Sequence, residues 1–91
     1  MIDLEAEWLQ WMKETHIPDV MNTGLFVDQK TCKLLHEEED GGVTYALQYF
    51  CKDMDTFLEY QKNHSKALQA DHASRYKDKY VAFRTLMEII E

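Results

Sequence analysis

The chain has 91 residues, 45% of them hydrophobic and 30% charged, and its ten Lys and Arg against seventeen Asp and Glu give a net charge of −7. That length holds one hydrophobic core, so a single domain over 1–91 is expected, in a globular chain too apolar for disorder and too interrupted by charge for a membrane span. The acidic balance argues against nucleic acid and anionic membranes as partners, because both need a clustered Lys/Arg surface.

The opening residues Met1-Ile-Asp-Leu-Glu-Ala-Glu7 have neither the basic start nor the apolar run of a signal peptide. Cys32 and Cys51 form at most one bridge, whereas disulfide-dependent secreted domains usually carry four or more cysteines. A reducing, cytoplasmic setting with both thiols free is the expectation.

From Leu4 to Met21 the residues Leu4, Trp8, Trp11, Met12, Ile17, Val20 and Met21 recur at mostly helical intervals. Asp3 is placed to cap this helix and Gly24 to close it in a left-handed conformation. Pro18 interrupts the pattern, so the helix is expected to end near His16 and to continue briefly after a kink.

Two β-rich stretches, 25–36 and 43–51, flank the acidic Glu37-Glu-Glu-Asp-Gly-Gly42. They predict a hairpin with Asp40-Gly41 as its turn. That turn sets His36 opposite Tyr45, Leu34 opposite Leu47 and Cys32 opposite Tyr49 on an apolar, helix-facing side. The other face then carries Thr31, Lys33 and Leu35 beside Thr44, Ala46, Gln48 and Phe50, a mixed surface suited to meeting something else.

Asp53 is a good N-cap for a second helix reaching about Tyr76, with a bend near Asn63-His64 and a restart at Ser65. The last segment, 79–90, alternates strictly: Val81, Phe83, Thr85, Met87 and Ile89 on one side, Tyr80, Ala82, Arg84, Leu86 and Glu88 on the other. It is the clearest strand in the pattern. The element order is therefore αββαβ, an α+β chain that becomes the ferredoxin-like βαββαβ when one strand is prefixed.

Several blocks carry a family resemblance: Glu7-Trp-Leu-Gln-Trp-Met-Lys-Glu14, His16-Ile-Pro-Asp-Val20, Gly41-Gly-Val-Thr-Tyr-Ala-Leu-Gln-Tyr-Phe50, Ala67-Leu-Gln-Ala-Asp-His72 and Val81-Ala-Phe-Arg-Thr-Leu86. Together they resemble a family of small bacterial proteins known only as a domain of unknown function, over essentially the whole chain. That family in turn resembles the dimeric α/β-barrel group, ferredoxin-like domains whose sheets pack face to face and which include cofactor-independent monooxygenases. The resemblance implies a fold, a homodimer and a small-molecule cavity, but it transfers no reaction. It also implies an opening strand of roughly ten residues before Glu7, of which only Met1-Ile2 are present. Residues 79–90 are then expected to pair with 43–51 or with a second chain.

The candidate ligand-binding residues are Arg84, Gln48, Glu88, Tyr45, His16 and His72. Arg84 interrupts an apolar strand beside Gln48 and Glu88, and its planar fork suits a carboxylate; pairing with Glu88, or with a carboxylate across a dimer interface, is the structural alternative. His16 at the kink titrates near neutrality and suits acid–base work, although a helix C-terminus also favours a histidine electrostatically. His72 finishes the apolar stripe of the second helix and has Tyr76 beside it. His64 and His72 lie about 12 Å apart along one helix, too far to share a metal. Trp8 and Trp11 read as core. No paired Cys and no pair of His at spacing four is present, so no metal and no cofactor is expected.

The leading expectation is a self-associating domain that binds a small organic ligand. A cofactor-independent barrel-type enzyme comes second, and an acidic module that captures a basic partner comes third.

Overall fold

The computed structural model describes residues 4–35 and 42–90. The first helix, α1, covers residues 4–21 in three stretches: α-helical Leu4–Trp11, a π turn over Met12–His16, and α-helical Ile17–Met21. Pro18 has no N–H to give the preceding turn, and the π turn takes up the discontinuity: the Ile17 N–H reaches five residues back to the Met12 carbonyl. The expected kink at His16 is thus a change of helical pitch, after which the helix runs on with Pro18 in its next turn. Gly24 closes it at φ +79°, its N–H returning to the Met21 carbonyl at 3.1 Å, a left-handed geometry that glycine adopts without strain. The expected Asp3 cap lies outside the described residues.

Strands β1 (Asp28–Lys33) and β2 (Tyr45–Phe50) form a two-stranded antiparallel sheet. The β2 face is as expected: Tyr45 packs on Trp8, Leu47 on the core, and Tyr49 on Phe26. The register is not. Thr31 pairs with Leu47, Lys33 with Tyr45, and Cys32 with Ala46 where Tyr49 was expected, a slip of three positions that turns β1 over. Asp28-Gln-Lys-Thr-Cys-Lys33 is polar on both faces, so burial does little to choose its register. The observed one brings the Lys33 ammonium to Glu5 at 2.9 Å and to 5.9 Å from the Tyr45 ring. The mixed outer face therefore keeps Ala46, Gln48 and Phe50 but receives Asp28, Lys30 and Cys32 from β1. His36 and the Asp40-Gly41 turn lie outside the described residues.

The second helix, α2, covers residues 54–75: Met54–Tyr60, a π turn over Gln61–Ser65, and Lys66–Arg75. Asp53 caps it, its Oδ1 accepting the Thr56 N–H at 2.8 Å and the Thr56 hydroxyl at 2.6 Å. The bend expected near Asn63-His64 is this second π turn. Trp11, Met12 and Tyr76 are buried where α1 meets the end of α2, with Trp8, Ile17 and Leu47 packed around them.

After Asp78, at φ +63°, the chain leaves the core. Residues 79–90, expected as the clearest strand, carry no assigned secondary structure and are exposed throughout. Alternation specifies a strand only where a neighbouring edge completes its hydrogen bonds, and β2 is paired with β1 alone among the described residues. The radius of gyration, 14.2 Å, exceeds the roughly 12 Å of a compact chain this long, in keeping with a segment packed against little. The result is an α+β arrangement of two helices and a two-stranded antiparallel sheet.

Candidate functional site

Where α1 meets the end of α2, six rings converge. The π turn sets His16 5.2 Å from Trp11, centroid to centroid, and α2 brings His72 within 5.7 Å of both His16 and Trp11. Tyr76, one turn beyond His72, packs edge-on to Trp11 at 5.5 Å, and Tyr80 meets His72 at 4.5 Å. The Trp8 indole N–H donates to His72 Nε2 at 3.0 Å. Indole nitrogen only donates, so Nε2 must accept and neutral His72 carries its proton on Nδ1.

Burial pushes the pKa of both imidazoles below the ordinary histidine value. For His72 the positive charge of His16 and then of Arg84 adds to burial against a weaker pull from Asp71; for His16, Asp71 and Asp19 oppose it. The Arg75 guanidinium lies 5.2 Å over the Trp11 ring, a further cation at the cluster. His16 Nδ1 and the Tyr76 hydroxyl are buried without a hydrogen-bond partner among the described residues. Such a pair of mostly neutral imidazoles suits proton exchange or pH sensing. No group of three or more metal-ligating side chains occurs among the described residues.

Of the six sequence-derived candidates, His16 and His72 are brought together, and Tyr45 joins them through Trp8, 5.1 Å from its ring. The Tyr45 hydroxyl donates to Glu5 Oε1 at 2.7 Å, which with Lys33 holds the Glu5 carboxyl below its usual pKa. Gln48 faces the other way, opposite Lys30. Arg84 and Glu88 are exposed on 79–90, and the expected Arg84–Glu88 pair is not among the ion pairs of the described residues. Arg84 is nonetheless near enough to α2 for its charge to act on both His72 and Tyr60. Trp8 is the residue that sequence reasoning undervalued: helical spacing placed it correctly at the core, but its polar edge has a specific partner. Apart from this cluster, an open groove of about 500 Å³ lies between α1 and β1, and Tyr45 is the one candidate among its lining residues.

A family model described as Domain of unknown function (DUF4286) matches residues 2–90. The chain belongs to the DUF4286 family. Comparison with curated proteins gives no match, and comparison with solved structures gives none. Membership thus assigns the DUF4286 domain no reaction, and its chemistry has to be argued from the geometry above. No helix of the described residues is long and apolar enough to cross a membrane.

Proposed function

We propose that this DUF4286 domain is a self-associating module that acts as a homodimer, residues 79–90 of one copy adding as a strand beside β2 of the other. The observation that carries this reading is the exposure of an alternating apolar segment. Val81 is 83% exposed, Phe83 91% and Met87 73%, and monomeric proteins rarely leave such a contiguous apolar strip in water. Its occupant is argued from the sheet. An isolated two-stranded sheet is marginal in water, β2 meets only β1 among the described residues, and strand addition completes backbone hydrogen bonds on both sides. A ferredoxin-like layer and a barrel-type dimer arise in the assembled form under this reading, and the outward Ala46, Gln48 and Phe50 supply the sheet face that meets the partner. Two free cysteines, Cys32 and Cys51, support a reducing, cytoplasmic setting.

Light scattering on the purified chain tests the reading, with a dimer expected and Phe83→Glu expected to give monomers. Because Phe83 packs on almost nothing in the single chain, the monomeric variant should keep its helical far-UV signal and lose only the strand contribution of 79–90. A wild-type chain that stays monomeric up to the concentrations used for NMR overturns the proposal.

A further inference from the structure

We propose that the groove between α1 and β1 binds an amphipathic monocarboxylate, such as a medium-chain fatty acid or an aryl-substituted acid. The inference goes beyond self-association and is separable from it. One wall is apolar: Leu9, Met12 and Ile17 line it from α1, and the π turn lets Met12 and Ile17, five residues apart, share that wall. The slipped register of β1 forms the other wall and turns Thr31 and Lys33 inward. About 500 Å³ lies within the range of small-molecule sites.

Charge selects the class of ligand. The chain carries seventeen acids against ten bases, yet the two formally charged side chains that line the groove, Lys13 and Lys33, are both cationic. Lys33 is paired with Glu5 at 2.9 Å, while Lys13 is exposed and makes no ion pair among the described residues. Lys13 thus contributes an exposed cation to the lining, which suits an anionic group. Gln29 Nε2 donates to Thr31 Oγ1 at 2.6 Å, and the Thr31 hydroxyl, having accepted, keeps its own hydrogen to give to a carboxylate oxygen. Apolar surface beside one cation and one donor is the recognition chemistry of an acid with a hydrocarbon tail.

Titration of the full chain with octanoate, followed by amide shifts in NMR, provides the test, with octylamine of the same tail and opposite charge as the control. The proposal expects saturable octanoate binding, shifts centred on Leu9, Met12, Ile17 and Thr31, and octylamine at least about tenfold weaker, a difference of about 1.4 kcal/mol. Lys13→Glu should abolish or reverse that preference. Equal binding of the two probes, non-saturating shifts, or shifts confined to 79–90 would each overturn it. Light scattering on the same samples keeps the two proposals apart: a monomer that binds octanoate removes only self-association, and a dimer that ignores octanoate removes only the groove.

Discussion

The Trp8–His72 contact makes stability depend on pH in a direction that can be worked out. Burial holds His16 and His72 below their unfolded value near 6.5, so the unfolded chain binds protons first as the pH falls. The contribution of the two residues to stability is therefore complete above about pH 7 and is lost as the pH falls through 6.5 and then through the lowered folded values. For His72 there is a structural cause beyond burial: a proton on Nε2 turns the acceptor of the Trp8 bond into a second donor. A net hydrogen bond contributes about 1 kcal/mol, which for a chain of this size moves Tm by about 4–8 °C. A double-mutant cycle of Trp8→Phe and His72→Phe, measured by urea unfolding, should give a coupling of about 1 kcal/mol at pH 8. That coupling should shrink toward zero on acidification, and His72→Phe should flatten part of the stability profile below neutrality. A coupling that is absent at pH 8 would show that Nε2 is not the acceptor and refute the reasoning.

Other positions give sharp expectations. Tyr76→Phe removes a buried hydroxyl without a partner among the described residues, so urea unfolding should find the variant as stable as wild type or more stable by about 1 kcal/mol; a clear loss would mean the hydroxyl is bonded. Met12, 4% exposed in the core cluster, should cost about 2–5 kcal/mol as Met12→Ala, and a loss under about 1 kcal/mol would show the core to be loosely packed. At Gly24 an added Cβ meets nothing within 4 Å, so Gly24→Ala should cost only the left-handed backbone penalty of about 1–2 kcal/mol, read as a lowered urea midpoint at unchanged slope.

Local signals made much of the fold legible before the structure. Pro18 marked the interruption of α1, Asp53 the start of α2, Gly24 the close of α1, and the alternation of Tyr45, Leu47 and Tyr49 the inward face of β2. Each of these rests on a few neighbouring residues. The register of β1 was not legible, because a strand polar on both faces presents no buried side to select it, and the inward contact of Lys33 depends on Glu5, distant in sequence. Residues 79–90 have an unambiguous strand pattern and form no strand in the single chain, because a pattern cannot supply the neighbouring edge. At the candidate site His16 and His72 were legible singly. Their approach depends on how α1 packs against α2, and Trp8 was recognised by its bulk while its N–H went unassigned. Gln48 was grouped with Arg84 and Glu88 on the premise that 79–90 lies in the sheet, which it does not do here.

The most direct test of self-association mixes two isotopically distinct preparations of the chain and records only contacts between unlike copies by filtered NMR. The account predicts interchain backbone contacts between residues 79–90 and Ala46 to Phe50. A dimer held together elsewhere, or contacts arising only within one copy, would contradict it.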